Sequence, residues 1–298
     1  MRRVQIVEVG PRDGLQNEAK VLSIEDKLRF IERLAQAGLK RIEAASFVNP
    51  KWVPQMADAQ KLYPRLPKRE GVRYSALVPN ARGMQDALSA GAGEVAVFTA
   101  ASETFNRKNV NMSIQESFDA IAQVVALAKG KHVAVRGYLS TCFGCPYEGR
   151  VDAGRVAELA QRLLALGCFE VSVSDTIGAA TPGDVDRVLD AVLARVPAEK
   201  VALHFHDTRG MALANVLRAL EYDVAVFDSA AGGAGGCPFA PGAAGNVATE
   251  DLLFMLAGMG VETGVSLDKV AEASRFLESV VGRQLPSRVL HSPAWSPR

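Results

Sequence analysis

The run Val4-Gln5-Ile6-Val7-Glu8-Val9 alternates its side chains in strand fashion, and a helical pattern follows over 24–37, opened by Ser23 and closed by Gly38. This pair decides the fold because it recurs. β-rich runs lie at 41–47, 73–79, 94–100, 133–141, 169–175, 201–207 and 224–230, and helical periodicity follows at 53–63, 80–90, 113–129, 153–166, 182–195, 210–221 and 247–258. A strand pattern followed by a helix pattern is the mark of a βα unit. Eight such units predict an α/β fold closed into a (β/α)8, or TIM, barrel, with an open doubly wound sheet as the alternative. Thr181-Pro182 opens the sixth helix, while Gly91 and Gly167 follow the third and fifth. A further amphipathic segment at about 265–285 lies beyond the eighth unit. The expected organisation is therefore a barrel domain over 1–264 and a helical appendage with its tail over 265–298. Pro286, Pro293 and Pro297 are expected to leave the tail without regular structure.

Composition narrows the function classes. Thirty-four basic against 33 acidic residues leave a net charge of +1, which argues against nucleic acid or an anionic membrane as the main partner. With 48% hydrophobic and 22% charged residues, the chain has ample material for a large core and is not disordered. No apolar stretch approaches the roughly 20 residues of a membrane helix. Four cysteines are too few for a disulfide framework, and no signal or transit pattern precedes the first strand, so a cytoplasmic protein is expected.

In a barrel of this kind the chemistry sits at the C-terminal ends of the strands. After the first strand, Gly10-Pro11-Arg12-Asp13-Gly14-Leu15-Gln16-Asn17-Glu18 places a cation and a carboxylate side by side; an exposed salt-bridged loop is the plainer alternative. The seventh strand, Val201-Ala202-Leu203-His204-Phe205-His206-Asp207, puts His204 and His206 on one inward face with Ala202. Two inward imidazoles suit metal ligation, against hydrogen-bonded core histidines. His132 and His291 read as structural or exposed. Glu43 projects inward from the second strand and needs a partner, for which Arg12 is the natural candidate; a structural ion pair is the alternative. The glycine-rich stretch from Ala230 to Asn246 is a lid or a close-approach loop without the ending of a nucleotide P-loop. It holds Cys237, where a thiol could meet substrate, and Asn246, which reads as a helix cap or a carbonyl ligand. Cys142-Phe143-Gly144-Cys145 has no second cysteine pair to complete a zinc site. The stretch Ser102 to Asn109 is polar and basic enough to meet an anionic or thioester substrate, or is a solvated loop.

These residues carry a resemblance. Val7 to Glu18, Ser46-Phe47-Val48-Asn49-Pro50-Lys51-Trp52-Val53-Pro54-Gln55-Met56, His204-Phe205-His206-Asp207-Thr208-Arg209-Gly210 and Gly235-Gly236-Cys237-Pro238-Phe239-Ala240 resemble the 3-hydroxy-3-methylglutaryl-CoA lyase family. The likeness runs from residue 4 to about 260, and the cysteine loop is its most specific part. Condensing synthases of the wider barrel family share the Arg-Asp turn and the His-x-His strand. Unlike longer animal members, this chain shows no targeting peptide and no cysteine in its C-terminal tail.

The resemblance implies that Asp13, His204, His206 and Asn246 bind one divalent cation, Mg2+ or Mn2+. It implies cleavage of 3-hydroxy-3-methylglutaryl-CoA to acetoacetate and acetyl-CoA, as in leucine degradation. Arg12 would stabilise the enolate oxygen, Cys237 would protonate the carbanion, and Glu43 would orient Arg12. Asp175 resembles an active-site acid for proton transfer near the hydroxyl, although it shares strand parity with Val171 and Val173, which read as facing the helices. Arg12, Gln16 and Ser102 are expected to bind substrate, and a homodimer acting on a small acyl-CoA is expected. The rival readings are a lyase for a longer 3-hydroxy-3-alkylglutaryl-CoA, a synthase joining acetyl-CoA to a 2-oxo acid, and a non-catalytic metal or acyl-CoA sensor.

Overall fold

Eight parallel strands close on themselves in chain order in a computed structural model that describes residues 3–237 and 240–293, the side chains of 237 and 240–244 excepted. They are β1 (Gln5–Glu8), β2 (Arg41–Ser46), β3 (Arg73–Leu77), β4 (Glu94–Ala100), β5 (Ala134–Ser140), β6 (Glu170–Asp175), β7 (Val201–Phe205) and β8 (Val226–Ser229). Gln5 pairs with Val226, and this contact seals the barrel. The open doubly wound alternative is thereby excluded.

The surrounding helices are α1 (Ile24–Gln36), α2 (Ala59–Leu62), α3 (Ala81–Ser89), α4 (Glu103–Val110), α5 (Ile114–Lys129), α6 (Ala153–Leu166), α7 (Pro182–Leu193), α8 (Ala212–Leu220), α9 (Thr249–Gly258), α10 (Leu267–Val281) and α11 (Arg288–His291). Side-chain oxygens start many of them: Ser23, Asn80, Ser102, Ser113 and Asp152 each accept an amide proton from the first turn. None of the helices is long and apolar enough, among the described residues, to cross a membrane.

Three segments depart from the sequence reading. The helix expected over 53–63 is broken into a tight turn at Pro54–Met56, the single turn of α2 and another tight turn at Tyr63–Arg65. Pro54 and Pro64 cannot donate helical hydrogen bonds, and the buried Lys27 ammonium draws in the Gln55 carbonyl and the Asp58 carboxylate. The polar stretch after β4 is not a loop but α4, capped by Ser102. The tail is partly ordered as well. Leu285 and Leu290 are buried, Ser287 donates its amide to the Gly232 carbonyl at 2.9 Å, and Asp251 accepts from Ser287 Oγ and the Val289 amide. Short reach rather than a long helix makes this possible, because α11 starts just after Pro286.

Unlike a barrel filled with branched aliphatics, this interior carries a charged column. Arg41 on β2 grips Glu170 on β6 with two hydrogen bonds of 3.0 Å, and Glu170 also accepts from Arg136 Nε on β5 at 2.7 Å. Arg136 in turn holds Asp228 on β8, with 2.7 Å between Nη2 and Oδ1. Each ion is nearly fully buried, so each needs the others to offset its desolvation. The column rises toward the C-terminal end of the barrel, where the polar side chains of the cavity begin.

Candidate active site

Val9 follows β1, and the amides of Arg12, Asp13 and Gly14 all converge on its carbonyl, at 3.1, 2.7 and 3.2 Å. This wide turn rotates Arg12 and Asp13 over the barrel mouth. Arg12 is 6% exposed, so the plainer reading of a solvated loop does not hold. Its Nε donates to Glu43 Oε1, and its Nη1 donates to Asp13 Oδ1 at 2.6 Å. Burial works against the Arg12 charge, but Glu43 and Asp13 hold the guanidinium protonated well above its ordinary range. For Asp13 burial again opposes ionisation, and Arg12 with the two histidines outweighs it, lowering the carboxyl to about 2. Gln16 braces the turn by donating Nε2 to Asp13 Oδ1 at 3.1 Å.

Across the mouth, β7 presents His204 and, just past its end, His206, with ring centroids 5.2 Å apart. Ligand atoms of Asp13, His204 and His206 lie within 4.8 Å of one another. Burial lowers the His206 pKa to about 4, and the nearby His204 adds to the effect, so the ring stays neutral and its lone pair available. Among the described residues, two buried atoms here have no hydrogen-bond partner: His206 Nδ1 and Asn246 Oδ1. An unpartnered imidazole nitrogen and amide oxygen beside an ionised carboxylate are what a divalent cation would satisfy. The donor set therefore fits a metal.

Asn246 is not the cap of α9, because Ala248 occupies that position. Instead its Nδ2 donates to Asp13 Oδ2 at 2.8 Å and to the Ala234 carbonyl at 3.1 Å. The main chain between β8 and α9 forms an antiparallel pair, β9 (Gly236–Cys237) with β10 (Ala240–Ala244). Its base is pinned from below: Glu8 accepts amide protons from Gly10 at 2.8 Å and Ala231 at 2.9 Å, while Glu250 accepts the Gly232 amide at 2.8 Å. Gly235, at φ +106°, leaves room for Asn246 where a Cβ would stand 3.0 Å from Nδ2. The Cys237 side chain lies outside the described residues, although its backbone is placed by this hairpin.

A cavity of about 630 Å³ opens between these elements. Its lining combines the polar Arg12, Asp13, Gln16, Tyr138, His204 and His206 with the apolar Leu77, Phe98, Phe105, Val110 and Met112. Of the residues expected from sequence, Arg12, Asp13, Gln16, His204 and His206 meet at this cavity, and Asn246 and Glu43 touch them from behind. Ser102 does not line it. Its Oγ caps α4 through the Phe105 amide and lies 2.9 Å from Cys145 Sγ. Asp175 also lies off the lining, which passes through its neighbours Ser174 and Thr176. Its carboxylate accepts the amides of Ala179 and Ala180, at 3.0 and 2.9 Å, and burial raises its pKa against those bonds and His204. Cys142 and Cys145 are separately buried, each hydrogen-bonded locally, and Cys142 is pushed up by burial.

Three residues escaped the sequence reading. Tyr138 donates its hydroxyl to Glu43 Oε2 at 3.1 Å and accepts from Arg136 Nη1 at 2.8 Å, and its ring stands edge-on to His204. Asp228 Oδ2 lies 3.3 Å from His204 Nδ1. The available signal was parity: Arg136 and Tyr138 alternate on β5 with the inward face, and Asp228 pairs with His204 across the β7–β8 ladder.

Comparison with known proteins agrees with this geometry. Residues 3–277 match the family model described as HMGL-like. The chain is 51% identical over 288 residues to mitochondrial hydroxymethylglutaryl-CoA lyase of Rattus norvegicus, covering 97% of this chain and 89% of that one. It is 53% identical over 286 residues to the cytoplasmic 3-hydroxy-3-methylglutaryl-CoA lyase of Danio rerio, covering 96% and 85%. A crystal structure of hydroxymethylglutaryl-CoA lyase from Pseudomonas aeruginosa superposes with a TM-score of 0.95 at 48% identity, covering 97% of this chain and 96% of that one.

Proposed function

Because the chain belongs to the HMGL-like family, we propose that its reaction is the cleavage of 3-hydroxy-3-methylglutaryl-CoA to acetoacetate and acetyl-CoA, as a carbon–carbon lyase. The observation that carries this reading is the meeting of Asp13, His204 and His206 with the buried Arg12 at one cavity. Asp13, His204, His206 and Asn246 would hold one divalent cation. Two oxygens and two imidazole nitrogens suit Mg2+ or Mn2+ better than zinc, and no described thiol joins them. When bound, such a cation supplies Lewis-acid polarisation of an alcohol oxygen.

The chain's own groups then divide the work. Breaking the C2–C3 bond removes the 3-hydroxyl proton, leaves a ketone on the acetoacetate side, and moves the bonding pair onto C2 of the thioester. Arg12 faces the cavity with its charge fixed by Glu43 and Asp13, which supports a role in stabilising the enolate oxygen. Preorganised donors of this sort contribute about 3–4 kcal/mol. Tyr138 and Glu43 keep the guanidinium from turning away. The hydroxyl proton is assigned to Asp175, whose pKa burial raises; because this carboxyl stands behind the lining and accepts the Ala179 and Ala180 amides, the transfer would run through a water or a hydroxyl of its lining neighbours Ser174 and Thr176. The C2 carbanion is assigned a proton from Cys237, supported by its place in a hairpin whose preceding residue Gly235 lies against Asn246 and Asp13. Closure of the hairpin would exclude bulk water from the carbanion.

A homodimer in a reducing compartment belongs to the same proposal; sedimentation of the pure protein tests the first part. The reaction itself is tested with a panel of 3-hydroxy-3-methylglutaryl-CoA, its longer 3-alkyl homologues, and acetyl-CoA mixed with 2-oxo acids. Equimolar acetoacetate and acetyl-CoA from the methyl substrate is expected. Condensation of acetyl-CoA with a 2-oxo acid, with no cleavage, would overturn the reading.

A further inference from the structure

The charged column inside the barrel ends on a metal-ligand candidate, and that ending has chemical content. Asp228 is 2% exposed, and its Oδ2 accepts from Ser172 Oγ at 2.9 Å and Arg136 Nη1 at 3.2 Å, besides lying 3.3 Å from His204 Nδ1. Its Oδ1 is taken by Arg136 Nη2 at 2.7 Å. Arg136, 1% exposed, is itself fixed by Glu170, and Glu170 by Arg41. Neither Asp228 nor Arg136 lines the cavity. An ionised carboxylate only accepts hydrogen bonds, so the His204 nitrogen facing it must carry the proton. The ring's other nitrogen, Nε2, is then left with its lone pair and one orientation. His206 shows no such backing among the described residues, where its Nδ1 is without a partner.

We propose that Asp228, anchored by Arg136, is a positioning residue that fixes His204 as the Nδ1–H tautomer with Nε2 turned to the metal site. The inference rests on the metal-dependent reading above and goes beyond it, because it assigns work to a residue that touches neither metal nor substrate. Arg136 also reaches Arg12 through Tyr138 and Glu43, so one buried cation steadies both the ligand histidine and the substrate-facing guanidinium. A salt bridge that only stabilised the barrel would have no effect on the His204 tautomer.

Metal binding to the full-length chain separates these cases. Free Mn2+ is titrated by electron paramagnetic resonance into metal-stripped wild type, Asp228→Asn and Lys27→Met, with circular dichroism confirming the fold. Asn can turn its amide N–H toward the ring and so favours the opposite tautomer, and Mn2+ binding is expected to weaken 10–100-fold. Lys27→Met breaks a buried ion pair with Asp58 that does not reach His204, and it should leave the Mn2+ constant unchanged. Equal Mn2+ affinity in folded Asp228→Asn and wild type overturns the proposal while leaving the lyase reading intact. Failure of wild type to bind Mn2+ overturns both. Should Asp228→Asn not fold, long-range 1H–15N spectra of histidine-labelled wild type with Mg2+ decide the matter. His204 protonated at Nδ1 is the expected result, and protonation at Nε2 refutes it.

Discussion

Glu8 offers a test in which the magnitude follows directly from the structure. The carboxyl is fully buried at the base of the glycine-rich segment, where Oε1 accepts from Gly10 and Ala231 and Oε2 accepts from Thr249 Oγ1. Burial dominates those bonds and raises its pKa from 4.5 to about 7. A raised acid binds its proton more tightly in the folded state. Its contribution to stability is therefore fully present below pH 4.5 and is lost as pH rises through about 7. A shift of that size corresponds to about 3 kcal/mol. Glu8→Gln should remove this dependence while keeping the contacts: the amide oxygen can accept from Gly10 and Ala231, and the amide nitrogen can donate to Thr249. Urea unfolding of both proteins between pH 5 and 8.5 at fixed ionic strength measures the effect. The variant should gain on wild type as pH rises, by up to about 3 kcal/mol over the whole window. A difference that stays constant across that range would mean that Glu8 ionises as it does in the unfolded chain, and the burial argument would be refuted.

Other perturbations test the site. Arg12→Gln should lower kcat by roughly 10²–10³-fold in a steady-state cleavage assay, and retention of full turnover would remove Arg12 from the enolate role. Gly235→Ala forces a Cβ to 3.0 Å from Asn246 Nδ2 at a φ of +106°, so calorimetry should show a lower Tm, with a strain cost of about 1–3 kcal/mol. Phe98→Ala enlarges the apolar part of the lining, and the kcat/KM ratio for a 3-ethyl over a 3-methyl substrate should rise by roughly tenfold or more. An unchanged ratio would place the alkyl group elsewhere.

The barrel was legible because its strands carry a period of two and its helices a longer period with caps. Expected runs such as 94–100 and 169–175 meet the observed β4 and β6 within a residue. The metal cluster was legible for the same reason, since parity alone puts His204 and His206 on one face. Other features depend on contacts between distant residues. Nothing local to Ser102 distinguishes a substrate contact from the cap of α4, and nothing near Pro54 announces that Lys27 will capture Gln55 and Asp58. Asn246 reads as a cap or a carbonyl ligand from its sequence context, and only the folded contacts set its amide against Gly235 and the Asp13 carboxylate. Nothing local marks Arg136 or Asp228, because only the closed barrel brings β5 and β8 together across its interior. The tail was misjudged because Leu285 and Leu290 find a surface that exists only once the turn after β8 is folded.

The central claim is that this cavity cleaves a 3-hydroxyacyl thioester with the help of a divalent cation held by Asp13, His204, His206 and Asn246. The most direct measurement follows acetoacetate release from 3-hydroxy-3-methylglutaryl-CoA by the purified, reduced protein, first with Mg2+ or Mn2+, then after chelation, then with the cation restored. Release that stops on chelation and returns on restoration is the predicted result. Undiminished release from metal-free protein, or none from folded protein with Mn2+ bound, would contradict the account.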